Sequence, residues 1–269
     1  MNSVVTLAKK DLNGSEMLIE ERRQHVLARI QRDGRVLVGD LSEQLGISRI
    51  TIRKDLEHLQ AKGLIQRTHG GALALQSGAL FDPSLLEKEK LHQKEKQRIA
   101  EAAVALVSEG QCVLLDSGTT TTAIARALRQ FSRLTVITNA VNIAAELSNT
   151  DFEVILTGGT LRKNSFSLVG PPAEDHLHDM HADILFLGVD GFDPKTGVTT
   201  PNMLESRVNR AMVHASQTVV AVCDSSKFGR SCLALIVPTA EIDVVITDSG
   251  LAPEYAQALR NLGISLLLV

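Results

Sequence analysis

Tryptophan is absent from this 269-residue chain, and aromatic residues make up only 3% of it. Leu, Ile, Val and Ala must therefore fill the interior. The composition, 44% hydrophobic and 22% charged, suits one large or two smaller globular domains. No apolar run approaches the roughly 18–20 residues that cross a bilayer, so no membrane span is expected. The opening stretch MNSVVTLAKKDLNGSEM lacks the apolar block and small-residue cleavage site of a secretory signal and reads as a loose polar tail. Cysteine is scarce: Cys112 and Cys223 lie in apolar strand-like runs, and Cys232 is irregularly placed. An odd count without metal-type spacing argues against a disulfide framework and for small buried thiols in a reducing cytoplasm.

Charge is unevenly shared. Residues 1–75 carry 12 Lys/Arg against 9 Asp/Glu, a net of +3, whereas residues 76–269 carry 16 against 22, a net of −6. A basic head on an acidic body points the head toward a polyanion.

Three helical patterns fill the head, residues 18–75. In IEERRQHVLARIQRDG, residues Ile19, Val26, Leu27 and Ile30 share a stripe, and Gly34 is a natural stop. VGDLSEQLG places Val38, Leu41 and Leu45 on one face, with Gly46 able to turn left-handed. The third pattern starts at Ser48, a good N-cap, and buries Ile52, Leu56 and Leu59. The three-residue turn GIS between the last two, with Ile47 plugging their angle, has helix-turn-helix spacing. With that stripe inward, Arg49, Ile50, Thr51, Arg53 and Lys54 fall on or near the outer side, which in such a motif enters a major groove. Arginine pairs with guanine, Lys and Ser48/Thr51 hydroxyls hold phosphates, and an isoleucine touches a thymine methyl. Leu64–Thr68, the turn His69-Gly70-Gly71 and Ala72–Leu75 read as a wing, with Arg67 and His69 near the DNA backbone. A basic helical hairpin that docks a protein is the alternative reading of the head.

The run Ser48-Arg-Ile-Thr-Ile-Arg53-Lys54-Asp55-Leu56, followed by GLIQRTHGGA, resembles the DNA-binding signature of DeoR-family bacterial regulators. The resemblance implies a winged helix that binds an operator, usually as a repressor. It makes Arg53 and Lys54 DNA contacts, while Asp55 is expected to brace the helix.

Residues 76–90, containing Pro83, read as a linker, and the sign-alternating run Glu87–Arg98 as the solvated face of a helix. In residues 91–269 the segments CVLLD, LTVIT, EVILT, ILFLG, TVVAVC, DVVIT and SLLLV alternate with helical stretches. Such β-branched runs belong to a parallel sheet covered on both faces, an open α/β domain whose ligands bind at the carboxyl ends of strands. Those ends are polar. Asp116, Ser117, Gly118, Thr119, Thr120 and Thr121 lead into a helix start suited to a phosphate. Asn139, the pair Gly158-Gly159, Asp190 and Lys227 end four more strands. SGTTT lacks the Walker lysine, so a nucleotide loop is disfavoured, and no cofactor is expected.

Asp116-Ser-Gly-Thr-Thr, Gly188-Val-Asp190-Gly and Asp224-Ser-Ser-Lys227 resemble the sensor domain of the same family, itself similar to ribose-phosphate isomerases. DSGTTT, LFLGVDGFD, SRVNRAMV and DSSKF look closest to regulators of N-acetylgalactosamine and galactosamine utilisation. The resemblance implies a cytoplasmic repressor that binds duplex operator DNA as a homodimer or homotetramer, sensing a phosphorylated sugar. Two readings compete with it. In the isomerases a helix before the Asp-x-Ser-Lys element carries a basic carboxylate. Glu205 stands on the corresponding segment here, but counting back from Lys227 reaches Asn209, which cannot serve as a base. Glu205 is therefore expected to orient a ligand or to serve a structural role, without turnover. The stretch DHLHDMHAD, with His178 and His181 three apart, raises a metal-responsive regulator as the other reading.

Overall fold

The computed structural model describes residues 19–33, 35–61, 65–68, 70–74 and 79–269, in two compact units divided between Ser77 and Gly78. The expected polar tail, Gly34, Leu64, His69 and Leu75 lie outside the described residues.

The first unit runs α1 (Ile19–Asp33), β1 (Arg35–Leu37), α2 (Val38–Leu45), α3 (Arg49–Ala61), β2 (Ile65–Thr68) and β3 (Gly71–Ala74). Its core joins Val26 and Ile30 of α1 to Val38, Leu41 and Leu45 of α2 and to Ile52, Leu56 and Leu59 of α3, all buried. Ile19, expected in the stripe, is 56% exposed; it is the first residue of α1, at the open end of that face. Gly46 closes α2 in the left-handed conformation (φ 63°), its N–H donating to the Ser42 carbonyl. Ser42 also takes the Ile47 N–H at 3.1 Å and donates its hydroxyl to the Ile47 carbonyl, which fixes the turn into α3. The wing has three antiparallel strands in the order β1-β3-β2, one more than the sequence suggests. A three-residue strand is too short for alternation to reveal. A Cβ on Gly71 would lie 1.9 Å from the Val36 carbonyl oxygen, so the β1–β3 approach requires glycine there.

In the second unit, α4 (Leu85–Glu89) and α5 (Gln93–Val104) precede β4 (Cys112–Leu115), α6 (Thr119–Leu128), β5 (Thr135–Thr138), α7 (Val141–Leu147) and β6 (Glu153–Leu156). Next come a hairpin of β7 (Thr160–Arg162) and β8 (Ser167–Val169), then α8 (Pro171–His178) and β9 (Ala182–Gly188). β10 (Gly191–Asp193), β11 (Gly197–Thr200), α9 (Met203–His214), β12 (Ser216–Val222), β13 (Ala234–Val237), β14 (Val244–Thr247), α10 (Pro253–Asn261) and β15 (Ser265–Leu268) complete it. All seven expected strands form one parallel sheet, ordered β15-β14-β12-β9-β4-β5-β6. Alternate residues feed opposite cores. Leu114, Leu185 and Ala221 face α8, α9 and α10 through Leu177, Met212 and Leu259. Val113, Phe186 and Val220 face α5, α6 and α7 through Ile99, Ile124 and Ile143. Coverage of both faces explains the unbroken apolar runs. The strand order reverses between β4 and β9, where an open α/β sheet leaves its crevice. β10, β11 and β13 form a separate three-stranded sheet with no signal in the sequence reading.

The charged stretch read as one solvated helix is two. Ser84 caps α4 in a reciprocal box with Glu87, and His92, left-handed at φ 51°, separates α4 from α5. α4 lies within the stretch read as linker and buries Leu85.

Candidate nucleic-acid interface and effector site

On α3 the inward stripe leaves Arg49, Ile50, Arg53 and Lys54 exposed, with Thr51 half-buried; Ile50 is 66% exposed. Ser48 caps the helix, its hydroxyl accepting the Thr51 N–H at 3.2 Å and lying 2.9 Å from the Thr51 hydroxyl. Both hydroxyls are thus partly committed to the helix start. Asp55 is 1% exposed and gripped by α1: Arg22 Nε donates at 2.6 Å, and Arg22 Nη2 and Arg23 Nε each donate at 3.1 Å. The carboxylate therefore fixes α3 against α1, and its charge is neutralised behind the exposed basic face. Arg67 of β2 donates to Glu57 of α3 at 2.8 Å, which ties the wing to that helix. His69 lies outside the described residues.

At the crevice of the second unit, Asp116 follows β4 and is 2% exposed. It accepts the Ser117 N–H at 2.6 Å and the Gly188 N–H, from the end of β9, at 3.1 Å. The Asn209 amide of α9 donates to it at 3.3 Å. Burial first, and the nearby Glu205 carboxylate second, push its pKa well above the usual carboxylate range despite those donors. α6 begins at Gly118 without a side-chain cap, and the N–H groups of Gly118, Thr119, Thr120 and Thr121 meet no acceptor among the described residues. The hydroxyls are less open than expected. Thr121 and Thr122 both donate to the Gly118 carbonyl, at 3.0 and 2.6 Å, and Ser117 leans on Asp116 at 3.4 Å. These short side chains satisfy the turn's own carbonyl, leaving backbone N–H groups, with Thr119 and Thr120, as the anion donors.

Cations gather at the same rim. Lys227, in the turn after β12, makes no hydrogen bond or ion pair through its ammonium among the described residues, and burial lowers its pKa against the pull of Asp224 and Asp190. Asp190 accepts the Lys88 ammonium at 2.7 Å and the Thr200 hydroxyl at 3.2 Å. Burial works to raise Asp190, but Lys88 outweighs it and holds the carboxyl below its ordinary range. Lys96 is buried and donates to the carbonyls of Lys88 and Leu91, both at 2.6 Å; burial brings its pKa down to about 8. Glu205, 6% exposed on α9, accepts from Ser167 at 2.9 Å and Arg162 at 3.2 Å, and Arg162 also grips Asp82.

The structure thus brings together Asp116 to Thr121, Asp190, Glu205 and Lys227. Asn139 is fully buried and its side-chain amide donates to the Leu168 carbonyl at 3.4 Å, while its side-chain oxygen meets no donor among the described residues. Gly158 and Gly159 form the turn into β7; a Cβ on Gly159 (φ 108°) would sit 2.7 Å from the Val169 carbonyl oxygen, so hairpin packing already demands that glycine. Lys88, Lys96, Arg162 and Asp82 escaped the sequence reading. The two lysines sit in a run whose alternating signs look solvated, and only the break at His92 turns them inward. His178 ends α8, whereas His181 precedes β9, so the two share no helix face, and no metal-ligating group of three or more His, Cys, Asp or Glu occurs among the described residues.

A winged helix with an exposed basic face, joined to a parallel α/β body with a cationic crevice, defines a DNA-binding regulator with a sensing domain. The model of the DeoR-like helix-turn-helix domain matches residues 22–78 and that of the DeoR C terminal sensor domain residues 91–249, and the chain belongs to the DeoR family of regulators. It is 40% identical over 98% of its length to a protein of Escherichia coli O157:H7 named "Putative aga operon transcriptional repressor", covering 99% of that protein. It is 39% identical to the HTH-type transcriptional regulator GlpR of Haloferax volcanii, with 93% of this chain and 98% of that one covered. Identity to the glycerol-3-phosphate regulon repressor of Escherichia coli K12 is 32%, over 92% and 98% of the two chains. A ribose 5-phosphate isomerase A structure from Methanocaldococcus jannaschii overlaps 51% of this chain and 54% of its own at 17% identity and a TM-score of 0.38, too loose to decide anything about the site.

Proposed function

We propose that this chain is a cytoplasmic repressor of a sugar-catabolism operon, released from its operator by a phosphorylated sugar, with an amino-sugar phosphate the favoured effector. The observation that carries the reading is the uncapped start of α6, with four unmatched N–H groups at the crevice that also holds Lys227. Together they supply dipole, donors and a point charge for a phosphate. Asp116 and Asp190 are acceptors suited to sugar hydroxyls. The names of the aga and glycerol-3-phosphate relatives support a sugar-linked role. On α3, Arg49, Ile50, Arg53 and Lys54 meet base edges and phosphates, Ser48 and Thr51 hold the backbone, and Arg67 approaches it from the wing. Two heads reading two half-sites require a homodimer or homotetramer.

No turnover accompanies binding. Glu205 is held by Arg162 and Ser167, and the group facing Asp116 from α9 is the amide of Asn209, which accepts no proton from a substrate. Titration calorimetry with free and phosphorylated galactosamine, repeated on operator-bound protein, tests the reading. Phosphorylated sugar is expected to bind far more tightly than free sugar and to prefer the protein off DNA, because only a difference in affinity shifts the equilibrium. Equal binding of free sugar, or interconversion of sugar phosphates by the protein, overturns it.

A further inference from the structure

Residues 81–84, the stretch that leads from the wing into α4, form no helix or strand, yet all four are half-buried. A few ties therefore set their place. The Leu233 N–H donates to the Ala79 carbonyl at 2.8 Å, fixing one end just before β13. The β7–β8 hairpin holds the other end: the Asn164 amide donates to the Asp82 carbonyl at 3.0 Å, and the Leu85 N–H to the Asn164 carbonyl at 2.8 Å. The third tie to that hairpin is ionic, from Arg162 to the Asp82 carboxylate. Arg162 does not stop there. Its Nη2 serves Asp82, while its Nη1 donates to Ser165 at 2.9 Å and to Glu205 at 3.2 Å. One guanidinium thus joins a carboxylate of the joint to a carboxylate of the crevice, a task suited to its rigid fork of donors. On Glu205, Arg162 and Ser167 share Oε1, and Oε2 accepts no hydrogen bond among the described residues. A donor arriving in the crevice has that oxygen to meet, and meeting it weakens the claim of Glu205 on Arg162.

We infer that Arg162 is a positioning residue that couples the crevice to the joint between the two units, through the chain Glu205–Arg162–Asp82. The inference rests on the phosphorylated-sugar reading above. Arg162 has no need to touch the sugar. It divides its charge between two carboxylates, and whatever neutralises one changes its hold on the other. The side chains of Asp82 and Glu205 are 20% and 8% exposed, so water screens the exchange only weakly. Pro83 disfavours the helical conformation at Asp82, so a released carboxylate lets the stretch swing rather than lengthen α4. The covalent path from the wing to α4 runs through these residues, and a change in their freedom reaches the head.

Asp82→Asn in the full chain separates coupling from binding. It removes the carboxylate at the joint, keeps the backbone carbonyl that Asn164 meets, and leaves Arg162 and Glu205 in place. Calorimetry with galactosamine 6-phosphate is expected to give an affinity close to the parent's. Gel shifts on a duplex selected from a random pool, with and without saturating galactosamine 6-phosphate, read the coupling. The loss of operator affinity on binding is expected to shrink about tenfold, a typical coupling between two sites. Asp82→Glu, which restores a carboxylate, is expected to recover most of the response. Hydrogen exchange across residues 79–85 is expected to quicken when galactosamine 6-phosphate binds the parent; an unchanged pattern at saturation overturns the inference. A parent-like response in Asp82→Asn overturns it as well. So does a lost response that matches a lost affinity for galactosamine 6-phosphate, because Asp82 then supports the pocket alone. Operator affinity lowered equally with and without the sugar phosphate marks a mere brace and overturns it too. Asp82→Ser replaces the asparagine variant if that protein does not fold. A parent whose operator affinity ignores galactosamine 6-phosphate overturns the phosphorylated-sugar reading together with this one, whereas a responsive parent with an indifferent Asp82 overturns this one alone.

Discussion

The two units place their functional side chains in opposite ways. On α3 the basic residues stand in solvent, and the one buried charge, Asp55, holds the helix from behind. In the body the polar groups lie inside the crevice, paired with one another across separations that reach 72 residues for Gly188 with Asp116 and 102 for Lys88 with Asp190. A surface that meets a large polyanion needs no enclosure, because counterion release and groove contacts do the work. A crevice suited to a small ligand excludes water and presents preformed donors, and here most of its charges neutralise one another, the Lys227 ammonium excepted.

The sharpest break in that comparison is Asp55→Ala. It leaves Arg22 and Arg23 without their shared carboxylate and is expected to cost about 3 kcal/mol of stability in the first unit, as removal of one partner of a buried ion pair does; urea unfolding followed by a probe on α3 measures it. Arg53→Ala is expected to weaken operator binding by roughly 1–3 kcal/mol if the side chain reads a base. Isotherms on a duplex selected from a random pool and on its scrambled version check this, and equal affinities for parent and variant on both would remove Arg53 from the readout. Lys227→Ala is expected to abolish release from the operator by sugar phosphate. Gel-shift titration with the effector detects that, and a normal response would move the phosphate elsewhere on the rim. Ile50→Ala, a loss of one exposed side chain, is expected to cost under about 1 kcal/mol in operator affinity and nothing measurable in stability.

The smallest effect sharpens the contrast from the body's side. Lys96 has its pKa brought down to about 8 by burial, below the ordinary lysine value. Between those values the unfolded chain binds more protons than the folded one, so Lys96 contributes stability that grows as pH rises through that window. Relative to Lys96→Met, the parent is expected to gain stability from pH 8 toward 10, measured by denaturant midpoints at each pH.

How legible each unit was in the sequence follows from the same difference. The face of α3 repeats with the helix, so Ile52, Leu56 and Leu59 announce which residues point outward. The seven sheet strands are legible because burial on both faces leaves an unbroken apolar run, such as Ala182–Gly188. The crevice is only half legible. Its strand-end loops carry Gly, Ser and Asp in recognisable clusters, but Lys88, Lys96 and Arg162 are ordinary surface letters until a helix break and a hairpin carry them inward. Asp55 was read as a brace, yet its two arginines, 32 and 33 residues away, bear no local signal. β1 and the β10-β11-β13 sheet are too short, or paired too remotely, for alternation to show.

The reversal of strand order at β4 and β9 also decides how the chain can be divided. β4, β5 and β6 are laid side by side in the order of synthesis, and so are β9, β12, β14 and β15; within the sheet the two sets meet along the Val113–Ile184, Leu114–Leu185 and Leu115–Phe186 pairs of β4 and β9. Between them lies an exposed turn, with His178 and Asp179 almost wholly in solvent. A gene split after Asp179 would encode two pieces, each holding its own consecutive strands; the second keeps α9 and α10 on one face and relies on α5, α6 and α7 of the first to cover the other, and co-expression is expected to restore the body by fragment complementation. Because Asp116 and Gly188 face each other across that seam, a molecule seated in the crevice would touch both pieces, and the split protein becomes a reporter whose reassembly reads out its own effector.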